Sequence, residues 1–368
     1  MRRSRPILFN DFRESTVSDD VNAVARVLNS GWLILGNEVR GFESDWASQC
    51  GVRSAVGVAN GLDAIEIGLR AARIGVGDEV ITTPMTAVAT VLGIVRSGAT
   101  PVLADIDPET GLLDPASVER CMTSATRAIL LVHLYGQMRD MHLWSEFCHR
   151  HGIELLEDCA QSHAASFDGQ AAGAWGRFGA YSFYPTKNLG AAGDAGALVT
   201  NDEELAEQAE MLRNYGQLSR YEHPLLGLNS RLDEMQAAIL RARLPRLLTT
   251  TRRRQEIAHQ YRAGISNPVV NLLAPPQDAS NHVYHLFVVT TPHREALQAH
   301  LEATGIQTLI HYPVPAHRQP PLAHVARDPG GLGAAESHAA QCLSLPCSPH
   351  LTDEEVRRVV DAVNSFVP

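Results

Sequence analysis

The chain is predicted to be an α/β protein with a mostly parallel sheet and a smaller second unit. Short apolar runs alternate with helical patterns from about residue 55 to residue 200, as crossover-linked parallel strands require. Its 368 residues exceed one ordinary compact core and suit two units. Its 45% hydrophobic content can fill a core without help from disulfides or metals.

Strands are expected at residues 80–83, 101–105, 128–134, 152–157, 180–184 and 196–200. Residues 63–74 read as a helix apolar on most sides, hence buried. Residues 202–213 form an amphipathic helix whose acidic first turn suits the helix dipole. Residues 215–230 lack periodicity and read as a long loop, a length that is usually functional. A helix over 231–244 places Leu232, Met235, Ile239 and Ala242 on one face, and Pro245 is expected to end it. A second helix runs to about Gly264. A strand at 285–290, a helix at 294–304, a Pro-rich turn at 311–321 and a final helix at 353–366 behind Thr352 follow. A boundary near residue 246 divides a large unit, 1–246, from a small C-terminal α+β unit, 247–368.

The formal charge of −10 argues against nucleic-acid binding, although a pocket can be locally positive. Arg252, Arg253 and Arg254 form a basic run expected on a solvated helix face. Six scattered cysteines offer neither a metal site nor a disulfide framework, and suit a reducing cytoplasm. The stretch 1–10 is basic without a signal peptide's apolar run, and no segment nears the roughly 20 apolar residues of a membrane span. The expectation is a cytoplasmic protein off the membrane.

Four segments carry chemistry. In Tyr181-Ser-Phe-Tyr-Pro-Thr-Lys187-Asn-Leu-Gly190 a strand meets a turn, with Lys187 at its tip and glycines beyond. Lys187 is the only lysine among 31 basic residues. A desolvated lysine can form a Schiff base, and arginine cannot. In Leu155-Leu-Glu-Asp158-Cys-Ala-Gln161-Ser-His163 an apolar strand ends in acids, where α/β proteins bind ligands. Schiff-base chemistry on pyridoxal phosphate (PLP) needs one such carboxylate to keep the pyridine nitrogen protonated. A metal-binding or solvent-facing acid is the alternative for Asp158. Val58-Ala-Asn60-Gly61-Leu62-Asp63-Ala64 brings a strand-like run through a small-residue turn to a helix N-terminus, a place for a phosphate or simply a helix start. Gly227-Leu-Asn229-Ser-Arg231-Leu-Asp-Glu-Met-Gln236 leads from the long loop into a helix, and alone is only a cap.

In this order and spacing the segments resemble the DegT/DnrJ/EryC1/StrS family of sugar aminotransferases over nearly the whole chain. Further matching pieces are Ser30-Gly-Trp-Leu-Ile-Leu-Gly-Asn-Glu-Val39, Gly77-Asp-Glu-Val-Ile81, Gly98-Ala-Thr-Pro-Val102, His133-Leu-Tyr-Gly-Gln137, His311-Tyr-Pro313, Leu343-Ser-Leu-Pro346 and His350-Leu-Thr-Asp-Glu-Glu355. The resemblance implies the aspartate-aminotransferase type of fold, with a seven-stranded sheet binding PLP. It implies Lys187 as Schiff-base lysine and proton carrier, Asp158 at the pyridine nitrogen and Gln161 near the ring hydroxyl. Gly61, Leu62 and Ser182 would hold the phosphate. Asn229 would reach the phosphate of a neighbouring subunit, making a homodimer with shared sites. Two departures stand out. Leu62 replaces a frequent threonine, and Ala87 stands where many relatives stack an aromatic on the cofactor, leaving His163 as a substitute.

The implied reaction is ping-pong transamination from an amino-acid donor, expected to be L-glutamate, to a nucleotide-linked keto-sugar. The Lys187 segment and the 227–234 loop resemble the 3-amino branch, which implies a dTDP-3-keto-6-deoxyhexose. Tyr184, Tyr215, His311 and Tyr312 could stack on a base or sugar, and Arg213 or Arg231 could pair with a diphosphate or donor carboxylate. Alternatives are a 4-keto-sugar or cyclitol aminotransferase, a sugar dehydratase of the same fold (whose relatives carry histidine at the lysine position) and a non-catalytic PLP-binding regulator.

Overall fold

The computed structural model describes residues 5–11 and 17–368; residues 1–4 of the basic N-terminal stretch lie outside that range. A central sheet runs in the order Ser54–Val58, Gly196–Thr200, Gly179–Ser182, Glu154–Asp158, Thr126–Val132, Glu79–Thr82, Thr100–Leu103 and Ala326–Arg327. All neighbours pair parallel except across Gly196–Thr200, which is antiparallel to both its partners. The seven-stranded sheet thus gains an eighth, two-residue edge strand from the C-terminal segment. All six expected strands form, shifted by one or two residues at most ends.

Both faces of this sheet are covered, so its strands are apolar on both sides rather than alternating. Ala55, Ile81, Ile129, Leu155 and Tyr181 point into one core with Phe42, Trp46 and Phe147. Val56, Val80, Leu130, Leu156 and Ala180 point into the other with Ile65, Leu69, Ile94 and Leu205. The helix expected to be apolar on most sides spans Gly61–Ala71 and is buried at nine of its eleven positions, between sheet and neighbouring helices.

Glu203–Arg213 starts on Asp202, whose carboxylate accepts from the Leu205 N–H at 3.1 Å. Thr352 and Glu355 close a reciprocal cap on Asp353–Asn364. The α-helix stops at Arg243, just ahead of Pro245, but the chain does not turn away. Glu234–Arg243 passes through a 3-10 turn, Leu244–Arg246, into Leu247–Gly264, because proline at the start of a turn gives up only a donor that is unpaired there anyway. Past this point a separate core forms from Ile257, Tyr261, Phe287, Leu297, Leu343 and Val359 around the three-stranded sheet Asn271–Leu272, Phe287–Thr290 and Cys342–Leu345. Arg254 also departs from expectation. It turns inward and donates to the Tyr284, His285 and Cys347 carbonyls, tying the long helix to this sheet.

No helix among the described residues is long and apolar enough to cross a membrane.

Candidate active site

Sheet topology decides what meets at one edge. The parallel strands deliver their carboxyl ends there: Asp158, Ser182 and, after Thr126–Val132, His133. Gly196–Thr200 runs the other way and delivers its amino end, with Gly196 opposite both Val58 and Ser182. The turn Ala59-Asn60-Gly61 therefore arrives beside Ser182. Gly61 has no room for a side chain, since a Cβ would sit 2.7 Å from that of Ser182. The Asn60 side chain accepts from the Asp63 N–H at 2.9 Å, which leaves the N–H groups of Gly61 and Leu62 at an open helix start.

Asp158 is buried and held through both oxygens. Oδ1 accepts from the Ala160 N–H at 3.1 Å and Oδ2 from the Thr90 hydroxyl at 2.7 Å. Each oxygen keeps a lone pair for a further donor. Gln161 is fixed on two sides: its Oε1 accepts from the Tyr135 N–H at 2.6 Å, and its Nε2 donates to the Tyr312 hydroxyl at 3.1 Å. Burial first, then the charge of Asp158, pushes the Tyr312 phenol up to about 12, so it stays a neutral hydroxyl.

The Lys187 amine is desolvated, and burial lowers it from 10.5 to about 8 despite the opposing pull of Asp158. Three histidines feel its charge. His163 is pushed down to about 3 and His311 to about 4, in each case by burial and then by Lys187. His285 lies well below its usual range for the same two reasons, with Arg254 adding to them. All three are neutral at pH 7, so none adds positive charge around the amine. A cavity of about 370 Å³ opens on this side of the lysine turn. Its walls include Lys187, His285, His311, Asn10, Arg243 and His350, but not Asp158 or Gln161.

A single lysine makes its state directly measurable. With the amine carrying reductively introduced ¹³C-methyl groups, one side-chain resonance is expected besides the α-amino group. In cofactor-free protein it should titrate near pH 8, below an exposed lysine by more than two units. A midpoint near 10.5 would mean that the amine is solvated.

Several expected substrate residues are placed otherwise. Arg213 is buried in an ion pair with Glu43 and donates to the Gly57 carbonyl at 2.8 Å, so it braces helix against strand and cannot meet a diphosphate. His163 is fully buried, with ring centroids 5.8 Å from Trp46 and 5.3 Å from both Tyr181 and Phe183. Enclosed in that aromatic core, it has no open face for a cofactor ring. Ala87 caps the helix Val88–Ser97 and contributes no ring either. Arg231 donates to Asn214 at 3.2 Å and lies over the Tyr215 ring, 5.2 Å from its centroid. Tyr184, Tyr215 and Asn229 are exposed, and the expected loop is pinned by a bridge between Asn214 and Asn229.

Two groups escaped the sequence reading. Thr90 lies in the first turn of the helix Val88–Ser97 among apolar neighbours, and nothing local marks it as an Asp158 partner. Glu157 alternates with Asp158 to the opposite side of the strand. There it accepts from the Gly173, Trp175 and Gly176 N–H groups at 2.7–2.9 Å and pairs with His133 at 2.8 Å. His133, Glu157 and Cys159 cluster tightly enough to suggest a metal, but the Glu157 oxygens are already engaged in holding the 173–176 turn.

These residues fit PLP on structural grounds. A side-chain-free cradle lies at a helix start, a lone amine is desolvated, and a buried carboxylate has acceptor capacity left.

Residues 14–364 match the DegT/DnrJ/EryC1/StrS aminotransferase family. The chain is 48% identical over 345 residues to a dTDP-3-amino-3,4,6-trideoxy-alpha-D-glucose transaminase of Streptomyces venezuelae, covering 94% of this chain and 91% of that protein. It is 47% identical over 344 residues to a dTDP-3-amino-3,6-dideoxy-alpha-D-galactopyranose transaminase of Aneurinibacillus thermoaerophilus, covering 94% of each. Among solved structures, S. venezuelae DesV in complex with a ketimine intermediate superposes with a TM-score of 0.94 at 46% identity, covering 99% of this chain and 100% of that one.

Proposed function

This chain belongs to the DegT/DnrJ/EryC1/StrS aminotransferase family, and from that premise we propose that it aminates C3 of a dTDP-linked 3-keto-6-deoxyhexose, with L-glutamate as donor. PLP-dependent transamination of a nucleotide-linked keto-sugar is its activity, in common with the relatives above. The observation that carries the reading is the sole lysine, desolvated beside Asp158 at the carboxyl edge of the sheet. The choice of C3 and of dTDP rests on the activities of both relatives.

PLP, when bound, supplies the electron sink that makes the donor's Cα proton removable. Lys187 would hold the cofactor and then, as a free amine, carry the proton between donor Cα and cofactor carbon. An amine titrating near 8 is close enough to neutrality to both take and return it. Asp158 would meet the pyridine nitrogen and Gln161 the ring hydroxyl. The N–H groups of Gly61 and Leu62, with the Ser182 hydroxyl, would hold the phosphate. His311 and Tyr312 would meet the sugar: His311 lines the cavity at Lys187, and the Tyr312 hydroxyl accepts from Gln161. Tyr184, Tyr215 and Arg231 remain proposed contacts for the nucleotide end.

Matched 3-keto and 4-keto dTDP-sugars with glutamate, followed by NMR of the product, test the regiochemistry. The 3-keto isomer is expected to react at least tenfold faster, and free sugar without nucleotide poorly. Faster amination of the 4-keto isomer would overturn the C3 claim and leave the aminotransferase in place.

A homodimer with shared sites is part of the proposal. Asn229 is exposed, and Trp32, Leu33 and Ile34 form an exposed apolar run in the neighbourhood of the same helix start, Glu234 accepting from the Gly36 N–H. Mixing Lys187→Ala with Asn229→Ala subunits is expected to restore part of the activity that each lacks alone. Full activity in a dilute monomer would refute sharing. The division at residue 246 is likewise proposed, supported by the separate C-terminal core. A cytoplasmic setting is proposed from six buried, unpaired cysteines.

A further inference from the structure

Thr86, Thr90 and Asp158 form a chain of buried groups that the roles above leave unexplained. The Thr86 and Thr90 hydroxyls lie 2.7 Å apart, and that of Thr90 lies 2.7 Å from Asp158 Oδ2. Thr86 is 5% and Thr90 1% exposed, so water does not compete for these bonds. Their direction follows from valence. An ionised carboxylate only accepts, so the single Thr90 proton is spent on Asp158. The Thr90 oxygen must then accept from Thr86, which makes Thr86 the outer donor. Each hydroxyl thus points its dipole toward the carboxylate. Placing a proton on Oδ2 would break the Thr90 bond or force both buried hydroxyls to rotate.

We propose that Thr90, backed by Thr86, is a positioning residue that holds Asp158 ionised and in one orientation, so that the proton shared with the cofactor's pyridine nitrogen stays on the nitrogen. This rests on the assignment of Asp158 to that nitrogen. The hydrogen bond to a charged acceptor is the strong kind, and burial strengthens it. Other titratable groups near the carboxylate are Lys187, Tyr312 and Cys159. The Tyr312 phenol and the Cys159 thiol are both pushed up by burial and remain neutral, and the Lys187 amine is the one cation among them. None of the three donates a hydrogen bond to Asp158, so among the described residues the hydroxyl chain and the Ala160 N–H are the direct supports of its charge. Thr90 comes from the helix Val88–Ser97 and Asp158 from the strand Glu154–Asp158, so the contact also fixes that helix against the strand end.

The test uses holoenzyme reconstituted with PLP labelled with ¹⁵N in the ring, and reads the nitrogen's chemical shift at one fixed pH. Wild type should show a protonated ring nitrogen. Thr90→Val keeps the shape and removes the hydroxyl; its signal should move toward the unprotonated position, and kcat should fall about tenfold or more with KM for the keto-sugar little changed. Thr90→Ser should restore the wild-type shift. Thr86→Val, one bond further out, should move it in the same direction by less, and this variant carries the test if Thr90→Val does not fold. An unchanged shift in Thr90→Val, or in Thr86→Val where it stands in, overturns the proposal. Asp158→Asn separates the two claims. If it moves the shift and the threonine variants do not, the threonine role fails and the Asp158 assignment stands. If Asp158→Asn leaves the shift unmoved, Asp158 is not the nitrogen's partner and both fail.

Discussion

Lys187→Ala is expected to abolish transamination, with turnover falling by more than about 10⁴-fold, because both covalent attachment and proton transfer are lost with one side chain. No second lysine exists to take over. Arginine neighbours cannot substitute, since a guanidinium neither attacks a carbonyl nor gives up its proton near pH 7. Borohydride reduction and peptide mapping check the assignment: wild type should carry its cofactor adduct on the peptide containing Lys187, and the variant should carry none. An adduct elsewhere sinks the assignment. Stability gives an independent sign. The folded amine holds its proton less tightly than the unfolded one, about 8 against 10.5. The group's destabilising contribution is therefore fully present below pH 8 and fades as pH rises toward the unfolded value. The cofactor-free variant should lack this pH dependence and should be no less stable than wild type at pH 7.

Asp158→Asn should have the second largest effect, a fall of about 10²–10³-fold in kcat, while PLP remains bound through the phosphate cradle and Lys187. An amide is close to the carboxylate in shape, and its oxygen can still accept from Ala160 or Thr90. It carries no charge to stabilise a protonated ring nitrogen, so the cofactor would lose its pull on the donor's Cα electrons. Absorbance of the bound cofactor and single-turnover rates with glutamate separate binding from chemistry. Near-normal turnover would mean that another group protonates the ring.

Much of this site was legible because its residues sit where strand or loop patterns end. Asp158 closes an apolar run, Gly61 opens a helix after a small-residue turn, and Lys187 is unique in composition. Each signal is local. The misplaced residues fail for the opposite reason. Arg213 looked free because its partner, Glu43, lies 170 positions away in sequence. His163, five residues beyond the strand end at Asp158, looked available for stacking until Trp46, Tyr181 and Phe183 closed around it. Thr90 has the pattern of an ordinary first helical turn, and only the packing of Val88–Ser97 against the sheet edge brings it to Asp158.

By itself the sequence determined the α/β class, the strands, the one amine able to form a Schiff base and the acid at the strand end, because periodicity, turn chemistry and residue type act over a few positions. Tertiary structure decided which of these groups meet and in what charge state. The antiparallel course of Gly196–Thr200 brings the turn at Gly61 to Ser182, and burial makes the Lys187 amine a weak base and leaves the histidines around it neutral. Strand order and desolvation are set by contacts between residues far apart in the chain, and no local pattern records them.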